Sequence, residues 1–148
     1  MNTRTYDLSV MEGATAQGDV RIALSFGSQG SLVTGTQKAA QYFILAFLTE
    51  RGSVFGDTAF GTLFMKNARL GRIRTDDDVP ANFNIAVRDI IDYQADHLAA
   101  DTPDDEVITA AQLQSFVLKD LKLWLKVYMT TAAGVAREII LPVSSVPS

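Results

Sequence analysis

Three observations predict an α+β fold, with helices packed on a small antiparallel sheet that ends in a C-terminal three-stranded meander. Val20, Ile22, Leu24 and Phe26 alternate with Arg21, Ala23 and Ser25, the period of a half-buried strand. Two middle segments repeat apolar residues at three- and four-residue spacing, the period of a helix. Beyond Thr102 the chain returns to alternation broken by two turn signals, which gives three consecutive strands.

The elements follow in order. Residues 1–19 mix Gly, Ala, Thr and Gln without periodicity and read as an extended N-terminal arm, with Tyr6, Leu8 and Val10 suited to a short strand. One folded domain is expected over 20–143 and a loose tail over 144–148. A helix is predicted from Thr34 to Glu50, with Thr34 or Thr36 as cap and Ala40, Phe43, Ile44, Phe47 and Leu48 on one face. Gly52 stops it, and Arg51 falls in its last turn, where a cation suits the helix dipole. Arg51–Gly61 reads as a long loop, and Thr62 to Arg69 as one or two helical turns ended by Gly71.

Thr75 and Asp76-Asp77-Asp78 supply capping oxygens and negative charge for a third helix, and Pro80 is tolerated in its first turn. Phe83, Val87, Ile90, Ile91, Gln94 and Leu98 trace one stripe to about Ala99. Val107 to Leu118 is then β-compatible, with Leu113, Ser115 and Val117 on the face opposite Phe116 and Leu118. Lys119-Asp120 is a turn. Leu123, Leu125, Val127 and Met129 alternate with Lys122, Trp124, Lys126 and Tyr128, giving one core face and one amphipathic face. Ala132-Ala133-Gly134 turns the chain, and Val135–Val143 returns as a last strand. Pro142 and Pro147 withhold backbone donors there, which suits an edge.

Composition bounds the function. Hydrophobic residues are 47% and charged residues 20% of the chain, too apolar for a disordered segment. Absence of cysteine excludes disulfides and thiolate metal sites. Met1-Asn2-Thr3-Arg4-Thr5 leads into mixed polar sequence, so no secretory leader is expected. The apolar run Tyr42–Leu48 is far shorter than the roughly 20 residues that cross a bilayer, so no membrane partner is expected. Net charge is -4, and Asp76 to Glu106 carries ten acids against Arg88 alone. Such a surface repels nucleic acid, whose binding relies on cations that neutralise phosphates. Lys66, Arg69, Arg72 and Arg74 form a separate basic cluster.

Catalytic motifs are not found. His97 stands alone, without the nucleophile and orienting acid of a triad, and its place at a helix end is that of a dipole-compatible surface residue. Asp76-Asp77-Asp78 diverge from one another and lack calcium-loop spacing, so no metal is expected. Gly27-Ser28-Gln29-Gly30 matches no phosphate-binding loop, so no cofactor is expected. Glu50 and Asp57 are near enough in sequence for a glycosidic carboxylate pair, but nothing nearby would raise the pKa of either.

The run Phe43-Ile44-Leu45-Ala46-Phe47-Leu48-Thr49-Glu50-Arg51-Gly52-Ser53, followed by Asp57-Thr58-Ala59-Phe60-Gly61-Thr62, resembles the sheath-initiator proteins of contractile phage tail baseplates. In that family an apolar helix ends in a Thr-x-x-Gly-Ser turn and an Asp-x-x-Phe-Gly loop follows. Here Thr49, Gly52, Ser53, Asp57, Phe60 and Gly61 stand at those positions. With the order of the later elements, the likeness covers about three quarters of the chain. One departure is Asp96-His97-Leu98-Ala99-Ala100-Asp101, where the family carries Glu-Pro-Arg.

The resemblance implies a virion protein, made in the host cytoplasm and placed in the tail baseplate around the tube, in six copies beside the wedge proteins. It further implies that a sheet edge receives strands from the sheath protein and so initiates its polymerisation. The partner-binding candidates are Arg51, Gly52, Ser53, Asp57, Phe60 and Gly61 in the loop, and Val135, Arg137, Ile139 and Leu141 on the last strand, with Leu121–Met129 beside it. A small peptidoglycan-degrading enzyme using Glu50 and Asp57, and a tail assembly chaperone, are the alternatives.

Overall fold

The computed structural model describes residues 7–8, 20–21, 32–33, 35–119 and 122–144. Three two-residue strands come first: β1 (Asp7–Leu8), β2 (Val20–Arg21) and β3 (Leu32–Val33). The helices are α1 (Gly35–Leu48), α2 (Phe64–Arg69) and α3 (Asp78–His97). A 3-10 turn at Asp104–Glu106 leads into β4 (Ile108–Lys119), β5 (Lys122–Thr131) and β6 (Ala136–Ser144). The α+β class is as predicted, and β4, β5 and β6 form the antiparallel C-terminal meander.

The sheet is larger than the meander by one strand. Its order is β2-β6-β5-β4, and β2 joins β6 in parallel, with Val20 opposite Ile139 and Arg21 opposite Ile140. β1 and β3 pair separately as an antiparallel two-stranded sheet. Most of the expected arm 1–19, the rest of the expected strand through Phe26, the Thr34 cap, the Asp120 turn position and the tail beyond Ser144 lie outside the described residues.

Helices cover one face of the sheet. Leu123, Leu125, Val127 and Met129 of β5 face them with Ile139, Leu141 and Val143 of β6. Phe43 and Phe47 of α1, Phe64 of α2 and Phe83 of α3 meet above that surface, with ring centroids 4.9 Å apart for Phe47–Phe64 and 5.8 Å for Phe47–Phe83. Tilted aromatic packing of this kind adds to what area burial alone contributes.

Two buried polar side chains join the layers. Glu106 is 5% exposed. Its Oε1 accepts the Gly35 N–H at 3.1 Å and so caps α1, while Lys38 Nζ stands 3.6 Å from Oε2. Gln94, read in the apolar stripe, bridges α3 to the start of β4: its Oε1 accepts the Ile108 N–H (2.8 Å) and its Nε2 donates to the Glu106 carbonyl (3.1 Å). At the start of α3, Asp78 Oδ2 accepts the N–H groups of Arg74 and Thr75 (2.9 and 3.0 Å), and Thr75 Oγ1 accepts the Asp78 N–H (3.3 Å). The cap therefore uses one of the three aspartates, joined to Thr75.

Three readings need correction. Helix α1 ends at Leu48, where Thr49 Oγ1 donates to the Leu45 carbonyl, so Arg51 lies beyond it and no cation occupies its last turn. Leu113 packs toward the core with Phe116 instead of facing away, because a register shift between Leu113 and Ser115 inserts Gln114 and reverses the alternation. β6 is not an open edge at Ile139 and Ile140, since β2 occupies that side; the pairing stops short of Pro142, which has no N–H to offer.

Candidate docking surfaces

The first surface is the loop after α1. Apolar periodicity ends at Leu48, and the backbone closes on itself within a few residues. The Arg51 N–H donates to the Thr62 carbonyl and the Thr62 N–H to the Thr49 carbonyl, both at 2.9 Å, so Glu50 and Thr62 form an isolated parallel bridge. Buried Thr62 also sends its hydroxyl to the Phe47 carbonyl at 2.9 Å. Ser53 turns back to the Glu50 carbonyl through both N–H (3.1 Å) and Oγ (2.6 Å). Gly61 sits at φ 105, and a Cβ there would lie 2.5 Å from the Thr49 carbonyl oxygen. Glycine is the residue that allows this closure.

Asp57 anchors the far side of the loop. One carboxylate oxygen accepts the Ala59 N–H at 3.3 Å, and the other accepts the Tyr93 hydroxyl of α3. The Tyr93 hydrogen bond is the main reason the carboxyl is held below its ordinary value, and the same bond pushes the Tyr93 phenol up. Phe60 meets Tyr93 edge-on at 5.2 Å and Tyr42 at 6.1 Å. Two ion pairs flank the loop, Arg69–Glu50 at 2.9 Å and Arg51–Asp89 at 3.7 Å. Both are partly exposed, and such pairs contribute about 0–1 kcal/mol.

Arg51, Ser53, Asp57, Phe60 and Gly61 are thus gathered in one loop, and each is engaged in building it. The large apolar side chain the loop leaves fully exposed is Phe55, at the tip between Gly52 and Gly56. Sequence reasoning passed over it, although an aromatic residue flanked by glycines was visible. A single exposed apolar residue is common on surfaces. This one is distinguished by a tightly hydrogen-bonded mount.

The second surface is the sheet. Val135 is exposed in the β5–β6 turn and Arg137 is half-buried, but Ile139 and Leu141 are fully buried in the core. Leu121 lies outside the described residues, and β5 is an interior strand. The open side belongs to β4: among the described residues no strand lies beyond it. The chain carries no charged residue from Val107 to Leu118, whereas natural edges are usually blunted by lysine or other charges. Its protection consists of two register shifts, one between Ile108 and Ala110 and one between Leu113 and Ser115. Next to this edge the solvent face holds Val117, Trp124 and Pro142 side by side across three strands, with Val117 56% and Trp124 39% exposed.

Comparison of the chain with protein-family models, with curated proteins and with solved structures finds no match.

A cleft of about 400 Å³ also lies between α1, the end of α3 and the 98–106 segment, lined in part by Lys38, Tyr42, Tyr93, His97 and Glu106. His97 stacks on Tyr93 at 3.9 Å and places Nδ1 2.8 Å from the Tyr93 carbonyl. Burial drives the Tyr42 phenol well above its ordinary value. Both tyrosines therefore hold their protons at neutral pH and are poor bases there. Asp57, lowered and not raised, has the reverse of the shift that a glycosidic general acid requires. Among the described residues no cluster of His, Cys, Asp and Glu fits a metal ion, and no helix is long and apolar enough to cross a membrane.

Proposed function

We propose that this chain is a structural baseplate protein of a contractile phage tail, one that links wedge proteins to the sheath and starts sheath polymerisation by strand addition. The observation that carries the reading is β4, a long strand with no neighbouring strand on one side among the described residues and no charged residue before Lys119. Such an edge is a hazard in a free monomer and an asset in an assembly, because an arriving strand satisfies its backbone groups. The strand-addition site is accordingly assigned to β4, in place of the last strand.

The loop supports the same reading from another direction. The residues that carry the resemblance to sheath initiators are those that close the 49–62 loop and dock it on Tyr93. Their spacing follows from a specific shape, with Phe55 as its exposed product. An adaptor needs two separate contact surfaces, and we assign the loop to the wedge proteins and β4 to the sheath. Six copies around the tail tube, in the virion, belong to the same proposal.

The test is made in the particle. With Gln112→Lys and Val117→Lys, both at exposed β4 positions, baseplates should assemble and retain this protein while sheath fails to polymerise on them. Full-length sheath on such baseplates, seen by electron microscopy, would remove strand addition at β4. Absence of this chain from wild-type particles, measured by mass spectrometry, would instead favour an assembly chaperone.

A further inference from the structure

A strand added beside β4 presents alternate side chains to the two faces of the sheet. On the helix-covered face, near the C-terminal half of β4, lies a second cleft of about 410 Å³. Its buried and half-buried lining is apolar, Phe116 of β4, Leu123 of β5, Ala68 of α2, Val79 of α3 and Ile73 of the link between the two helices, and exposed Arg74, Thr75 and Asp76 of that link complete it. Phe116 packs on the core but remains partly exposed. The link is ordered by its own bonds, from Arg72 N–H to the Asn67 carbonyl (2.9 Å) and from the Arg74 and Thr75 N–H groups to Asp78.

We infer that this cleft is the specificity pocket of the β4 docking edge, and that it receives one large apolar side chain, leucine or phenylalanine, from an uncharged extended segment of the partner. The inference rests on the reading of β4 as the docking edge. Strand addition through the backbone alone is indifferent to sequence, so selectivity has to come from pockets that read alternate side chains. The apolar character of the occupant follows from the buried part of the lining, Ala68, Val79 and Leu123, with the polar groups confined to the exposed link, and its lack of charge from the uncharged stretch of β4 it must lie against. A different chain is favoured over a second copy because the two register shifts in β4 interrupt the long, regular ladder that two β4 strands would need. Space of about 410 Å³ holds roughly a dozen waters. Covering its buried apolar lining favours a larger side chain.

The probe is a set of three peptides, acetyl-Ser-Thr-Val-Xaa-Val-Thr-Ser-amide with Xaa alanine, leucine or phenylalanine, titrated into the isotope-labelled full chain and followed by NMR. All three should shift amides in Ser115–Val117, and the leucine and phenylalanine peptides should bind roughly tenfold or more tightly than the alanine peptide, as burial of the extra apolar area requires. Ile73→Trp, which fills the cleft from a half-buried link position, should abolish the preference but leave the alanine peptide's affinity within about twofold. Ala68→Leu serves the same purpose should Ile73→Trp misfold. Equal affinity for the three peptides, with β4 shifts intact, would overturn the cleft and leave the edge standing. Absence of β4 shifts with every peptide would overturn the edge reading and this inference together. Concentration-dependent dimerisation through β4 in light scattering would assign the edge to a second copy and also overturn it.

Discussion

The loop 49–62 and strand β4 are both surface features, built on opposite rules. In the loop, backbone and side-chain groups are used internally: Thr62 ties both ends, Ser53 folds back on Glu50 and Asp57 is held by Tyr93. In β4 one side of a long strand has no neighbouring strand among the described residues, and the sequence adds no charge to guard it. The loop spends its distinctive residues on its own shape and exposes one phenylalanine. The strand has undistinguished residues and exposes backbone. A motif can therefore mark a place where geometry is demanding, while the contact surface next to it carries no motif at all.

The sharpest way to break the comparison is at Gly61. Gly61→Ala combines a strained φ with a contact inside van der Waals distance of the Thr49 carbonyl, and the expected cost is about 2–5 kcal/mol. Gly52→Ala is its control, since a Cβ there meets nothing within 4 Å, and φ 93 alone should cost about 1 kcal/mol. Thermal unfolding should place the Gly61 variant several degrees below the Gly52 variant, because 1 kcal/mol corresponds to about 2–4 °C near this size. Equal losses would mean that the loop does not depend on the close approach at Thr49.

A smaller effect, dependent on pH, is expected at Tyr93→Phe. Asp57 has a depressed value in the folded chain, so its contribution is present above the ordinary carboxylate value of 3.8 and is lost as pH falls through the lower folded value. Tyr93 is raised above 10.0, so its share is present below that value and is lost as pH climbs through the higher folded one. The difference in melting temperature between wild type and Tyr93→Phe should therefore be flat across neutral pH and shrink toward both extremes. A difference that grew in acid would show that the Asp57–Tyr93 bond is not its source.

The sequence made the class of each element legible and left its neighbours hidden. Periodicity located α1, α3 and the meander because each has one face buried against the core. It could not reveal that β2 joins β6 in parallel, since Val20 and Ile139 are far apart in the chain and alternation contains no partner information. Pro142 suggested an open edge on β6, yet a proline excludes pairing only at its own amide. Strict alternation puts Leu113 on the wrong face because it presumes no bulge, and the inserted Gln114 gives no compositional signal. The β4 edge did leave a trace, the absence of charge from Val107 to Leu118. That trace is an omission, and omissions are easily passed over beside a motif.

The smallest effect on stability is expected at Phe55, and there the two regions can be told apart most cleanly. Phe55 is fully exposed, so Phe55→Ser removes no packing and should leave thermal stability within about 0.5 kcal/mol of wild type. If the loop exists to present this ring, the same change should weaken capture by the wedge proteins by about 2 kcal/mol or more, as loss of a buried aromatic anchor does. The β4 lysine variants should leave that capture intact and affect only sheath growth. Competition pull-downs of purified baseplate wedges with each variant would measure both. Wedge capture unaffected by Phe55→Ser, or abolished by the β4 variants, would mean that the loop and the strand are not the separate contacts an adaptor requires.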